Sequence, residues 1–174
     1  MNEFHLQLID ELFAAAEKMD MPIWIGGGWA IDARLGNITR EHEDIDITFP
    51  AERKGDFLAL LTTMGGQITE ETDYGFLAQL RNILLDCEPA YWAGSAYEIE
   101  ETPAGSCPAA YEGTLNGVKV RCNSWEAILW DYFYYADELP QNQWPAKHQY
   151  SYALVCSVVG NAKVQRLRAE FDSK

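Results

Sequence analysis

"IGGGWAIDARLGNITREHEDIDITF", residues 25–49, places two unusual features close together. Three glycines end a short apolar run, and downstream Asp44-Ile45-Asp46 opens what reads as a β-strand. Residues two apart on a strand face the same side, so both carboxylates project together from Cα atoms roughly 6.5–7 Å apart. Aspartate is a poor strand former, and neighbouring like charges repel. An ordinary half-exposed strand would tolerate such a pair, so alone it is ambiguous. A divalent cation removes the conflict, because Mg²⁺ takes hard oxygen ligands, commonly carboxylates together with substrate phosphates. The glycines add a second part. Without a Cβ, Gly26, Gly27 and Gly28 let the backbone approach a polyphosphate, and the helix that follows offers unpaired N–H groups. Any tight strand-to-helix turn would use glycines; their combination with Asp-x-Asp points to nucleotide chemistry.

Working outward, Phe4, Leu8, Ile9, Leu12, Phe13 and Ala16 recur at helical spacing and predict an amphipathic helix over residues 3–19. "PIWI" is long enough only for a buried strand, "WAIDARLG" reads as a helix closed by Gly36, and "DIDITF" alternates as a strand. Residues 51–64 read as helix, "QITEE" as strand, and "FLAQLRNILLDCEPAYW" as strand, turn, strand. From Asn123 the chain turns helical: "NSWEAILWDYFYYADEL", capped by Asn123 or Ser124, then residues 145–158 and 161–172. The expected fold is α+β: a small mixed-sheet lobe over residues 1–100, then a mainly helical lobe over 101–174. Asp86, in "LLDCEP", adds a third carboxylate on a later strand. Two carboxylates to hold metal and a third beside them is the layout of two-metal phosphoryl or nucleotidyl transfer.

Composition narrows the partners. Thirteen Lys and Arg against 27 Asp and Glu give a net charge of −14, which repels nucleic acid and anionic membranes and favours solubility or a cationic partner. No run of 18 or more apolar residues exists, nor a signal-peptide pattern at the start. The four scattered cysteines form no C-x-x-C pair, so reduced thiols in a cytoplasmic protein are expected, without zinc. No obligate protein partner is evident in the sequence.

"GGGWAID", "EDIDITF", "LLDCEP", "RCNSWEAI" and "WDYFYYADE" together resemble the aminoglycoside 2″-nucleotidyltransferases, a branch of the DNA-polymerase-β-like nucleotidyltransferases, along nearly the whole chain. The resemblance implies transfer of AMP from ATP to a hydroxyl of an aminoglycoside of the kanamycin, tobramycin or gentamicin type, releasing pyrophosphate and conferring resistance. It implies two Mg²⁺ ions held by Asp44, Asp46 and Asp86, with Asp86 as catalytic base. In the wider superfamily a serine often follows the glycine pair. Gly28 stands there in this chain, so phosphate contact at that point must come from backbone N–H.

Further candidates follow. Gly27, Gly28, Arg40, His42 and Lys147 are expected at the nucleotide, although Arg40 and His42 would also suit a polar loop and Lys147 an ordinary surface. On the helix after Ser124, Trp125, Ile128, Leu129, Tyr132, Phe133 and Ala136 form the expected core stripe. Asp131, Tyr134, Tyr135 and Glu138 share another face, whose carboxylates and flat rings suit a polyamine sugar. The resemblance adds Tyr74 and Glu88 as substrate contacts, while His5 and His148 receive no role. Two alternatives stand beside this reading: a lincosamide nucleotidyltransferase, and a silent, antitoxin-like binding module. Three mutually repelling aspartates argue against the silent one.

Overall fold

The computed structural model describes all 174 residues. Helix α1 (Asn2–Lys18) buries His5, Leu8, Ile9, Leu12, Phe13 and Ala16. Phe4 is exposed, and His5 takes the place in the buried stripe that the sequence pattern assigns to Phe4. The apolar run after Pro22 gives a two-residue strand, β1 (Trp24–Ile25), and the glycines lead straight into α2 (Gly27–Leu35). Gly36 ends α2 in the left-handed conformation (φ 73°), its N–H returning to the carbonyls of Asp32 and Ala33. Strand β2 (Asp44–Pro50) pairs antiparallel with β1. A single 3₁₀ turn then leads into α3 (Lys54–Thr63).

A meander follows: β3 (Gln67–Glu71), β4 (Phe76–Leu80) and β5 (Ile83–Trp92), with β6 (Tyr97–Ile99) folding back on the end of β5. The β4–β5 turn is only Arg81-Asn82, both at positive φ (53° and 64°), the geometry of a tight two-residue hairpin. The sheet order is β1-β2-β5-β4-β3, and β2–β5 is its one parallel junction. Parallel neighbours need a long crossover, supplied here by α3 and the β3–β4 hairpin. That junction positions the site, because its register sets Asp46 opposite Asp86, Asp44 opposite Leu84 and Thr48 opposite Glu88.

Residues 101–124, grouped with the helical lobe on sequence, contain no α-helix. They run back over the first lobe as a hairpin, β7 (Gly113–Leu115) and β8 (Val118–Val120), turned by Asn116-Gly117 with both φ positive. Asn-Gly is a strong signal for such a turn. A Cβ on Gly113 would sit 2.8 Å from the Cβ of Ala33, so the hairpin lies flush on α2. The three remaining helices are α4 (Trp125–Glu138), α5 (Ala146–Val159) and α6 (Asn161–Asp172). Ser124 caps α4 by accepting the Ala127 N–H at 3.1 Å. The core of α4 takes in Trp130 beside Ile128, Leu129 and Phe133, whereas Trp125, Tyr132 and Ala136 of the expected stripe are only half-buried. One apolar core runs from α1 and the sheet through to Val155, Leu167 and Phe171 of the last two helices. No helix is long and apolar enough to cross a membrane.

Candidate active site

Each of the three glycines answers to a different neighbour. The Gly26 N–H donates to the Asp46 carbonyl at 2.9 Å, and a Cβ there would press on the Asn123 side chain and the Asp46 Cβ. Gly27 adopts φ 53°, and a Cβ would collide with the Asp46 carboxylate. At Gly28 a Cβ would meet Arg40 Nη2 at 2.5 Å and His42 Nδ1 at 2.8 Å. The turn therefore threads between an acidic strand and a basic loop, with no room on either side for a side chain.

Arg40 is held by its Nε donating to the buried Ser151 hydroxyl of α5 at 3.0 Å, and by Nη1 donating to the Glu41 carbonyl. His42, expected to reach the nucleotide, is instead almost wholly buried. Its Nε2 lies 2.6 Å from Asp32 Oδ2 and its ring packs 4.2 Å from that of Trp29. Asp32 also accepts the N–H and hydroxyl of Thr39. Burying a carboxylate demands such partners, and His42 is spent in supplying one. It underlies Gly28 rather than lining the cleft.

Strand alternation and the parallel register bring Asp44, Asp46, Asp86 and Glu88 onto one sheet face. Tyr74, on the β3–β4 loop, donates its hydroxyl to both Asp86 oxygens, at 2.8 and 3.0 Å. Burial raises the Asp86 carboxyl, and the Tyr74 hydrogen bond opposes that rise. Asp46 is pushed well above the usual carboxylate range, first by desolvation and then by the charges of Asp44, Asp86 and Glu88. Glu88 is raised to about 8 by burial, Asp131 and Asp86. Asp131, open to the cleft but otherwise walled by protein, is raised to about 7 by desolvation and by Asp46 and Asp86. No three His, Cys, Asp or Glu side chains are already converged as a ligand shell. The cluster is nonetheless hard-oxygen and short of positive charge, with Arg40 the one cation that eases Asp46. A magnesium ion fits that donor chemistry.

Two hollows open from this cluster. The first, about 270 Å³, has Gly27, Gly28, Arg40, Asp44 and Asp46 on one wall, and Ile128, Asp131, Tyr132, Tyr135, Lys147 and His148 on the other. Lys147 reaches its mouth, paired with Glu43 at 2.7 Å. The second consists of adjoining spaces of about 430 and 360 Å³ that share Tyr74, Glu88, Asp131 and Tyr134. Its rim adds Asp73, Glu100 and Glu101, and no Lys, Arg or His lines it. Asp46 and Asp131 border both hollows. Tyr134 and Tyr135, which the sequence places on one shared face, open into different hollows because helix neighbours lie about 100° apart. Glu138 lines neither.

Residues 8–171 match the family model described as aminoglycoside-2″-adenylyltransferase. The chain belongs to this family. It is an enzyme, a nucleotidyltransferase acting on aminoglycosides. A 2″-aminoglycoside nucleotidyltransferase of Klebsiella pneumoniae is 59% identical over 174 residues, covering 100% of this chain and 98% of the relative. The solved structure of ANT(2″)-Ia in complex with adenylyl-2″-tobramycin superposes with TM-score 0.96 at 59% identity, over 98% of both chains. A lincosamide antibiotic adenylyltransferase with lincomycin bound shares the fold alone, at 22% identity and TM-score 0.56 over 70% of this chain and 81% of that one.

Sequence reasoning missed several residues of this aminoglycoside-adenylyltransferase cleft. His148 and Tyr132 line the first hollow, and Ser151 anchors Arg40. Tyr132, a core residue by helical spacing, is half-buried, because α4 turns that side toward α5 rather than toward the sheet. Asp73, Glu100 and Glu101 lie in loops, where no periodicity marks them.

Proposed function

We propose that the chain moves AMP from ATP to the 2″ hydroxyl of an aminoglycoside by chemistry centred on Asp46 and Asp86. The observation that carries this reading is the difference in lining: Arg40 and Lys147 line the first hollow, whereas no Lys, Arg or His lines the second, whose polar groups are carboxylates, tyrosines and Thr102, with Asp46 and Asp131 between the two. A polyanionic nucleotide suits the first and a polyamine sugar the second.

Backbone N–H groups of Gly27 and Gly28, with Arg40 and Lys147, hold the triphosphate. Asp44, Asp46 and Asp86 would hold the magnesium, which when bound draws charge from the triphosphate and from the departing pyrophosphate. Glu88 and Asp131 bind ammonium groups of the drug, Tyr134 offers a ring to a sugar face, and Tyr74 steadies Asp86. Asp86 accepts the 2″ proton as the hydroxyl oxygen bonds to the α-phosphorus; the bond to the β-phosphate oxygen breaks and pyrophosphate leaves. On this reading the first lobe carries the chemistry, and the helices after Ser124 complete both binding walls. The four free cysteines support a reducing, cytoplasmic setting.

The test is to incubate the protein with ATP, Mg²⁺ and a panel of aminoglycosides and lincosamides, and to follow pyrophosphate. Tobramycin should be a good substrate and lincomycin, with one basic amine, a poor one. Preference for lincomycin would overturn the reading.

A further inference from the structure

A nucleotide has a phosphate chain, a sugar and a base, and the roles above leave the base without a place. We propose that the nucleobase stacks on Tyr135 and His148, with Trp144 as the fixed backing of that platform. The inference deepens the nucleotide assignment of the first hollow and rests on it. Both rings line that hollow on the wall facing Gly28 and Asp46. They meet edge to face, centroids 5.2 Å apart at 63°, so a flat group can lie on one ring while touching the other.

Trp144 makes the platform rigid. It is 4% exposed, its indole N–H donates to the Leu139 carbonyl at 2.7 Å, and its own carbonyl accepts from the Gln149 side chain at 2.8 Å. Tyr135 leans on it at 5.0 Å and Tyr132 stacks on it at 5.7 Å and 27°. The neighbouring charges decide which ligand part belongs there. Lys147, beside His148 on this wall, and Arg40 across the hollow accompany a phosphate chain, while Asp44 and Asp46 of the same hollow are the carboxylates assigned to the metal. Burial and those same two cations hold His148 below its ordinary pKa, which favours a neutral ring for stacking. His148 therefore has a task that its surroundings in the sequence do not reveal.

The test is calorimetry with two probes, a non-hydrolysable ATP analogue and inorganic tripolyphosphate, each with Mg²⁺, on the whole protein. Tyr135→Ala and His148→Ala should each weaken the analogue about 5- to 100-fold. Tripolyphosphate and tobramycin affinity should stay at wild-type levels, which also reports an intact cleft. Tyr135→Phe and His148→Phe keep a flat face and should restore the analogue. Unchanged analogue affinity in the alanine variants, an equal loss for tripolyphosphate, or phenylalanine variants as poor as alanine would each overturn the platform. Wild type that binds neither phosphate probe would instead overturn the nucleotide assignment itself.

Discussion

The two hollows share a wall and a helix, yet their chemistry is opposed. Helix α4 gives Tyr135 to one and Tyr134 to the other, and Asp131 stands between them. The loop before β2 supplies Arg40 to the first hollow, and the β3–β4 loop supplies Asp73 and Tyr74 to the second. A net charge of −14 therefore conceals a local arrangement: on the proposed assignment the cleft's two basic side chains, Arg40 and Lys147, stand on the phosphate side, and the side for the amines is lined by carboxylates without a Lys, Arg or His. Charge reads as solubility when counted along the chain and as substrate sorting when placed in space. Changes at the carboxylates assigned to the metal should break the enzyme, and changes away from them should disturb mainly one substrate.

The shared acidic cluster should give the largest effect. Asp44→Asn or Asp46→Asn removes a charged metal donor at nearly constant shape, so pyrophosphate release should fall to the limit of detection. The metal-free variants should melt at the same temperature or slightly higher, since a repelling charge is gone. Asp86→Asn should lower kcat about 10²–10⁴-fold through loss of the proton acceptor. Affinity for an ATP analogue should survive in that variant, because Asp44 and Asp46 remain. Loss of nucleotide binding would make Asp86 a primary metal ligand rather than a base.

Next comes the turn between the strands. Gly28→Ala pushes a methyl against Arg40 and His42, and a misplacement of this kind costs about 10- to 100-fold in turnover. Gly36→Ala is the control. Gly36 has φ 73° and open space within 4 Å of where a methyl would stand, so the change should cost about 1–2 kcal/mol of stability and leave kcat/KM unchanged. Equal kinetic damage from both substitutions would reduce the glycine turn to a folding feature.

The sequence discloses those parts whose signal is local. Asp44 and Asp46 share a face by alternation, the Gly36 cap lies where the helical pattern stops, and Ser124 precedes an evident helix. What it hides is set by distant pairing. That Asp86 stands opposite Asp46 depends on a parallel junction closed only after α3 and a hairpin. His42 looks like a loop residue until Asp32 is seen beneath it, and the division of Tyr134 from Tyr135 needs the packing of α5 and of the loop at residues 100–102. The Asn116-Gly117 turn carries a local signal of its own, but the two three-residue strands beside it barely register as a pattern.

Away from the metal ligands the effects should be smaller and selective. Asp131→Asn should raise KM for tobramycin about 10-fold through loss of a charge-assisted contact. It should leave KM for ATP nearly unchanged. Lys147→Ala should do the reverse more weakly, about 2- to 5-fold on ATP, since Lys147 is partly exposed and already paired with Glu43. Raising the salt concentration should weaken tobramycin binding in wild type, chiefly through a slower on-rate. A tobramycin KM indifferent to both salt and Asp131 would return the acidic charge to a solubility role.

The smallest effect is thermal, and its sign follows from proton linkage. Glu88 is raised to about 8 and Asp131 to about 7, with Asp46 also raised, so the folded protein keeps protons that the unfolded chain has released. Stability therefore falls as pH rises toward 8, where these carboxyls ionise against one another. The two lowered histidines, His5 and His148, act the opposite way, but their contribution is complete once pH exceeds their ordinary value of 6.5. From about pH 6.5 to 8.5 the acids alone set the slope. The melting temperature of the metal-free protein should drop across that window by a few degrees, because cleft water screens part of the repulsion. Magnesium with an ATP analogue should remove most of the drop, and Glu88→Gln should flatten it without metal. A melting temperature that rises over the same window would mean that Asp46, Glu88 and Asp131 do not repel as one cluster, and the border between the two hollows would lose its electrostatic basis.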